Sequence, residues 1–180
     1  MTQADLAALD RLLLERSVKR GHFVLASGRT SNFYVDCRLT TMSAEGLVLI
    51  GKLGLEAIRD AGWAPRSVGG LTMGADPVAY AVAARSVAAQ PIVDAFSVRK
   101  EAKAHGTGRR VEGNFAAGDQ VVVVEDVITT GGSALKAIEA VREEGGTVLG
   151  ILAVVDREEG GRATLEAAGH KGVALTTASR

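Results

Sequence analysis

The sequence is poor in several features that would point to particular classes of protein. Cys37 is the only cysteine among 180 residues, so an internal disulfide is excluded and a reducing compartment is favoured. Basic and acidic side chains number 21 each, and this balance gives no indication of a nucleic-acid or membrane-surface partner. No apolar run approaches the roughly 20 residues that span a bilayer, and no secretory leader is visible. We therefore expect a soluble, cytoplasmic protein with a single domain over residues 1–180.

The most strongly patterned stretch begins with four consecutive valines at positions 121–124. A continuous apolar run predicts a strand buried on both faces, as parallel strands of α/β proteins are. Glu125 and Asp126 follow this strand, and a helical pattern begins at about residue 134. Open α/β sheets bind their ligands at the carboxyl ends of the strands. The two carboxylates are therefore candidate ligand-binding groups.

A loop of hydroxyl residues and glycines separates these acids from the helix, and its members are Thr129, Thr130, Gly131, Gly132 and Ser133. Unpaired N–H groups and the helix dipole make such a junction suitable for phosphate. The lysine of a P-loop and the Gly-x-Gly-x-x-Gly of a dinucleotide fingerprint are both lacking. A phosphorylated sugar fits instead, because its hydroxyls can reach Glu125 and Asp126 directly or through hydrated Mg²⁺. The alternative is a strand–turn–helix junction with a hydroxyl cap and solvated acids.

The spelling Glu-Asp-Val-x-Thr-Thr-Gly-Gly-Ser, over residues 125–133, resembles the phosphoribosyl pyrophosphate (PRPP) signature of the type I phosphoribosyltransferases. Its details are similar to those of the orotate phosphoribosyltransferases. The resemblance implies a Rossmann-like α/β fold, with a mostly parallel sheet flanked by helices and a small N-terminal hood over about residues 1–40. It also implies transfer of ribose 5-phosphate from PRPP to N1 of orotate, giving orotidine 5′-monophosphate and pyrophosphate in pyrimidine (UMP) biosynthesis. The residues it assigns to PRPP here are Glu125, Asp126, Val127, Ile128, Thr129, Thr130, Gly131, Gly132 and Ser133, with Asp126 also catalytic.

A basic segment over residues 99–110 contains six cationic side chains, counting His105, and two glycines. Taken alone, such a run is more often a solvated charged face. Its spelling Arg-Lys-x-x-Lys-x-His-Gly, however, is similar to the catalytic loop of orotate phosphoribosyltransferases. The resemblance implies a mobile lid over about residues 99–113 that enters the neighbouring subunit of a homodimer. It assigns PRPP and the leaving pyrophosphate to Arg99, Lys100, Lys103 and His105, with Lys103 and His105 as alternative proton donors.

Two further segments resemble the orotate site of the same family. The residues Ser27-Gly28-Arg29, Ser31 and Phe33-Tyr34 lie in a predicted hairpin, which taken alone would only cover the core. Arg157 follows the strand predicted over 147–155. Taken alone, an arginine beside acids is as often part of a surface ion pair as it is a ligand-binding residue. The resemblance implies that Arg157 pairs with the orotate carboxylate, a two-point contact that suits a guanidinium. The residues assigned to orotate are Thr129, Arg157, Phe33 and Tyr34.

The loop of residues 72–75 resembles the pyrophosphate loop of the family. It follows the strand predicted over 67–71, and Asp76 is predicted to cap a helix with Pro77 at its first position. The chain departs from the family pattern at Ala26 and Met73, which stand where many members have lysine. Those two cationic roles cannot be carried over, so we expect the basic segment to hold more of the pyrophosphate charge.

Three other functions remain open on the sequence. A purine phosphoribosyltransferase would share the central motif but lack the hood and the role of Arg157. A PRPP-sensing regulator of transcription should carry a basic face for nucleic acid. A non-catalytic scaffold with a decayed site would fit Ala26 and Met73. Mg²⁺ is the only cofactor that the resemblance implies, held through PRPP and water near Glu125 and Asp126.

Overall fold

The computed structural model describes residues 1–24, 30–101 and 108–180. The helices in these ranges are α1 (Gln3–Arg16), α2 (Arg38–Thr41), α3 (Ala44–Asp60), α4 (Ala75–Val87), α5 (Gly132–Glu143) and α6 (Gly161–Ala167). The strands are β1 (Val18–Val24), β2 (Thr30–Val35), β3 (Ser67–Leu71), β4 (Asp94–Val98), β5 (Val111–Gly113), β6 (Gln120–Ile128), β7 (Thr147–Asp156) and β8 (Gly172–Thr177). None of the helices in the described ranges combines the length and the apolar character that crossing a membrane requires.

The main sheet has the strand order β5-β4-β3-β6-β7-β8, and only the β4–β5 pair is antiparallel. From β3 the chain proceeds through β4 and β5 to one edge of the sheet, and from β6 it proceeds through β7 and β8 to the other edge. The direction in which successive strands are added therefore reverses between β3 and β6. Pairing of β3 with β6 ends at Gly69 and Val123, whereas β6 stays paired with β7 as far as Ile128 and Asp156. A crevice therefore opens between β3 and β6 at their carboxyl ends, the place where such sheets bind ligands.

Helices cover both faces of the sheet, and the valine run of β6 serves both layers. Val122 and Val124 belong to the core formed with α3 and α4, while Val121 and Val123 belong to the core formed with α5. All four side chains are fully buried, which explains why the run has no alternation of polar and apolar residues. The predicted α/β class and mostly parallel sheet are confirmed.

The hairpin of β1 and β2 forms a separate two-stranded antiparallel sheet. It starts at Val18, and residues 27–29 of the predicted hairpin lie outside the described residues. Helix α1 packs through Leu9 and Leu13 into the core with α3. The hairpin is therefore the part of the amino-terminal region that stands apart from the main sheet.

The start of α4 corrects the predicted cap. The helix begins at Ala75, and Gly74 precedes it, so Asp76 lies inside the first turn. The Asp76 carboxylate instead accepts hydrogen bonds from Thr72 Oγ1 at 2.6 Å and Ser97 Oγ at 2.7 Å. These two bonds hold the loop of residues 72–74 to the end of β4, and this long-range use of the carboxylate could not be recognised from local sequence.

Candidate active site

The loop between β6 and α5 forms a small polar pocket. Gly131 has φ +84°, a left-handed conformation that turns the chain sharply into the first residue of α5. A pocket of about 40 Å³ lies in this turn, and it is lined by Glu125, Val127, Ile128, Thr129, Thr130, Gly131, Gly132, Ser133 and Ala134. The opening of a helix beside hydroxyl groups makes this pocket suited to a phosphate group. We call it the phosphate seat.

Glu125 faces the phosphate seat from the end of β6. Its side chain is 5 % exposed, and its Oε1 atom has no hydrogen-bond partner among the described residues. Burial, together with the negative charge of Asp126, raises the pKa of Glu125 to about 8. A buried oxygen without a partner is costly, so this carboxyl group is poised to receive a hydroxyl donor from a ligand.

Asp126 lies on the opposite face of β6, as the alternation of side chains along a strand requires. Its Oδ1 accepts the Val127 backbone N–H at 2.9 Å, and a Cβ atom at Gly74 would lie 2.6 Å from that oxygen. Only glycine therefore allows the 72–74 loop to approach this carboxylate so closely. Burial raises the pKa of Asp126, and the backbone hydrogen bonds act in the opposite direction. The two acids thus line different sides of one strand end: Glu125 the phosphate seat, Asp126 the 72–74 loop.

The loop of residues 72–74 is held by a chain of side-chain hydrogen bonds. Thr72 donates to Asp76, Ser97 donates to the same carboxylate, and the Ser97 hydroxyl lies 3.1 Å from the Tyr80 hydroxyl. The chain joins the end of β3, the end of β4 and the exposed face of α4. It fixes the loop beside Asp126 without using any group of the phosphate seat.

Arg157 lies beside the phosphate seat because β6 and β7 are paired to their ends. Its backbone N–H donates to the Ile128 carbonyl at 2.9 Å, and its Nη2 is 2.7 Å from Glu159. The side chain is 10 % exposed, and the buried Nε has no hydrogen-bond partner in the described part of the chain. The guanidinium lies 5.0 Å from the centroid of the Phe33 ring, which the hairpin places over it. Arginine and ring together form one wall of an otherwise mostly apolar cavity of about 440 Å³.

The structure brings some of the predicted residues together and separates others. Tyr34 faces away from Arg157 and contacts Phe23, with ring centroids 5.7 Å apart. Arg99 lies at the carboxyl end of β4, where its Nε is 3.0 Å from Glu112 Oε1, and Lys100 is exposed beside it. Predicted residues that lie outside the described ranges are Lys103 and His105, with Ala26, Ser27, Gly28 and Arg29 of the hood.

Two charged residues near the site were not singled out from the sequence. Asp36 and Arg38 follow β2 and form a two-point ion pair, with Nε to Oδ1 at 2.8 Å and Nη2 to Oδ2 at 3.0 Å. The available signal was an acidic and a basic residue two positions apart, at the end of the strand predicted over 33–37. Nothing in the local pattern shows that this pair lies beside Met73 of the 72–74 loop.

Comparison with known proteins gives consistent matches over most of the chain. Residues 43–167 match the family model described as the phosphoribosyl transferase domain. The chain is 46 % identical over 172 residues to the orotate phosphoribosyltransferase of Aquifex aeolicus, covering 94 % of this chain and 93 % of that protein. It is 47 % identical over 169 residues to the corresponding protein of Mycobacterium tuberculosis H37Rv, with 94 % and 92 % covered. A crystal structure of that enzyme in complex with PRPP superposes with a TM-score of 0.83 at 40 % identity, covering 97 % of each chain.

Proposed function

The chain belongs to the orotate phosphoribosyltransferases within the phosphoribosyl transferase domain family, and we propose that it forms orotidine 5′-monophosphate and pyrophosphate from orotate and PRPP. The observation that carries this proposal is the pocket that Glu125 shares with the phosphate seat. A buried carboxyl group and a loop of N–H and hydroxyl donors face the same small space, as a sugar phosphate requires.

The phosphate seat binds the 5′-phosphate through backbone N–H groups and the hydroxyls of Thr129, Thr130 and Ser133. Glu125 and Asp126 accept hydrogen bonds from the ribose hydroxyls on the two sides of the β6 end. As the bond from C1 to pyrophosphate breaks, positive charge develops on the ribose ring. Asp126, and Glu125 when it is ionised, stabilise that charge.

Mg²⁺ belongs to the proposal as a companion of PRPP. Glu125 and Asp126 are hard oxygen donors on the two sides of the β6 end, and Glu125 Oε1 is buried with no partner among the described residues, so either acid suits the water shell of a hydrated Mg²⁺. When bound, the ion neutralises charge on the pyrophosphate group. Within the described ranges no group of three or more His, Cys, Asp or Glu side chains could hold a metal, which is why we assign Mg²⁺ to contacts through PRPP and water.

Arg157, Phe33 and Thr129 form the proposed orotate site. The guanidinium of Arg157 lies between Glu159 and the Phe33 ring, so a planar anion can pair with it while contacting an aromatic face. Thr129 adjoins it, because Ile128 and Arg157 are linked through their backbones. We retain Tyr34 in the hood, where it supports the hairpin through Phe23.

Replacing Arg157 by alanine is expected to raise the KM for orotate by about 20-fold, the order of one lost charge-assisted contact. The KM for PRPP should change little, because the phosphate seat and the 72–74 loop keep their geometry. Steady-state kinetics with each substrate varied in turn measures both. Arg162→Ala is the matched control, since Arg162 forms an exposed ion pair with Glu166 on α6. If Arg157→Ala lost affinity for PRPP and kept its affinity for orotate, the assignment of Arg157 to the orotate site would be wrong.

We propose a homodimer in which the basic segment of each subunit acts at the neighbouring active site, with Lys103 and His105 meeting pyrophosphate. Residues 111–113 form β5 and pair with β4, so we assign this role to residues 99–110 and not to the whole range 99–113. The outer surface of α3 and α4 supports an interface, because large apolar side chains are exposed there. Val48 is 75 % exposed, Tyr80 53 % and Val87 66 %, beside a hollow of about 630 Å³. Val48 and Tyr80 line this hollow together, and exposed apolar side chains grouped in this way are typical of a surface that is covered by a partner.

Mixing inactive Lys103→Ala protein with inactive Asp126→Asn protein is expected to restore about a quarter of wild-type activity, since random exchange of two subunits gives half mixed dimers with one intact site each. Activity is measured after subunit exchange has been verified by mass spectrometry of tagged chains. Mixing each variant with itself is the control. Full exchange without recovered activity would show that each segment serves its own chain.

The proposed location is the cytoplasm, supported by the buried free thiol of Cys37, which suits a reducing compartment. The reaction is tested by following orotate absorbance in the presence of PRPP and Mg²⁺. We expect orotate to be consumed and pyrophosphate to be released in equal amounts. Equal turnover of hypoxanthine would favour a purine phosphoribosyltransferase, and absence of turnover with every base would favour a decayed site.

A further inference from the structure

A second hollow, of about 500 Å³, lies on the surface beside the 72–74 loop. Its lining includes two cations, Arg16 and Arg38, together with Asp36 and the side chain of Met73. Met73 is 58 % exposed, so the loop itself presents no charge to this space. Positive charge next to the loop therefore comes from Arg16, at the end of α1, and from Arg38, just after β2.

Arg38 is held so that one edge of its guanidinium stays available. Its Nε and Nη2 donate to the two oxygens of Asp36 at 2.8 Å and 3.0 Å. A guanidinium has five N–H donors, and among the described residues none accepts from the edge formed by Nη1 and the second Nη2 hydrogen, so that edge can bind another anion. The side chain is 48 % exposed, whereas Asp36 is 21 % exposed. Asp36 thus orients Arg38 without enclosing it.

Arg38 lies on the side of β6 that carries Asp126. Asp126 turns toward Gly74 and away from the phosphate seat. Arg38 lines the same hollow as Met73, the residue next to Gly74, so its guanidinium lies near this carboxylate. Burial raises the pKa of Asp126, and the positive charge of Arg38 partly offsets that rise. Arg16, the last residue of α1, is also cationic, but its Nη2 is paired with Glu45 at 3.4 Å. Among the described cations lining this hollow, Arg38 is therefore the one oriented beside Asp126.

A PRPP molecule has phosphate at one end and pyrophosphate at the other, with ribose between them. If the phosphate seat takes the first and the β6 acids take the ribose, the pyrophosphate extends toward the 72–74 loop. We propose that Arg38, oriented by Asp36, binds the pyrophosphate group of PRPP through its free guanidinium edge and supplies the charge that Met73 does not. This inference rests on the proposed function, since it assigns one further residue to the same substrate.

Two ligands distinguish the two ends of the site: PRPP with Mg²⁺, and ribose 5-phosphate, which has no pyrophosphate. In Arg38→Ala the dissociation constant for PRPP, measured by calorimetry, should rise about tenfold, the order of one charge-assisted contact. The dissociation constant for ribose 5-phosphate should stay within about twofold of wild type. Adding Met73→Lys to Arg38→Ala should recover most of the PRPP affinity, because the new ammonium enters the same hollow.

Arg66→Ala is the matched control, because Arg66 is paired with Asp94 at the opposite, amino-terminal edge of the sheet. It should leave both affinities unchanged. Should Arg38→Ala fold poorly with Asp36 unpaired, Arg38→Ala/Asp36→Asn removes that charge and is measured in its place. Unchanged PRPP affinity, or equal weakening of both ligands, would overturn the role of Arg38. Wild-type protein that binds neither ligand would instead overturn the proposed function.

Discussion

Replacing Glu125 by glutamine is expected to lower the rate of ribosyl transfer by about 100-fold above pH 8, where the carboxyl group is ionised, as loss of one preorganised charge in an active site does. The amide can still accept a hydrogen bond from a ribose hydroxyl, so ground-state binding of PRPP should change less than the rate. The carboxylate is needed when positive charge develops on the ring, and the amide cannot stabilise that charge equally. Single-turnover rates and PRPP affinities, measured together, separate these two effects.

The same substitution should change how stability depends on pH. The pKa of Glu125 is raised from its ordinary 4.5 to about 8, so folding favours the protonated carboxyl group. Its stabilising contribution is full below pH 4.5 and is lost as the pH rises to about 8. Between these values wild type should lose on the order of 4 kcal/mol more than Glu125→Gln in free energy of unfolding. Denaturant unfolding at pH 4.5 and pH 8.5 gives this difference.

A matched control for both measurements is Glu139→Gln, which removes a carboxylate from the exposed face of α5. It should alter neither the rate nor the pH dependence of stability. If Glu125→Gln and wild type lost stability in parallel between the two pH values, the raised pKa would be wrong. An unchanged rate of transfer would show that Glu125 does not act on the ribose.

The parts of the site that could be predicted from sequence are those in which function and local structure use the same residues. The valine run predicts a buried strand, the glycines after it predict a turn, and both lie in one continuous stretch, residues 121–133. Arg157 could be placed beside this stretch because β7 is the next strand along the chain and pairs with β6 in parallel. The position of Arg157 along the sheet edge then follows from the pairing of β6 with β7 alone.

The parts that could not be predicted depend on contacts between distant segments. Asp76 was expected to cap a helix, but Thr72 and Ser97 compete for its carboxylate. The four-residue helix α2 and the three-residue strand β5 are too short to produce a periodic signal. The opposite orientation of Glu125 and Asp126 required knowing that β6 continues through the acids to Ile128. Each of these outcomes was set by tertiary packing and not by local propensity.

The second large effect is expected at Gly161, which lies behind the phosphate seat at the start of α6. A Cβ atom there would be 2.5 Å from the Thr129 carbonyl oxygen and 2.9 Å from the Gly131 backbone nitrogen. Both neighbours are backbone atoms, so Gly161→Ala must displace the loop that binds the phosphate. Displacement by about 1 Å typically costs about 100-fold in rate, and we expect that loss in ribosyl transfer. Overpacking should also lower the free energy of unfolding by about 2 kcal/mol.

Gly160→Ala is the control that separates the crowding of the loop from the general cost of losing a glycine. Gly160 has φ +92°, but a Cβ atom there would meet nothing within 4 Å. This variant should therefore lose about 1 kcal/mol of stability through backbone strain and keep its affinity for ribose 5-phosphate. Gly161→Ala should weaken ribose 5-phosphate binding by about tenfold, because the lost contacts are those of the phosphate seat. If both variants bound ribose 5-phosphate like wild type, the 5′-phosphate would have to be held outside the turn between β6 and α5.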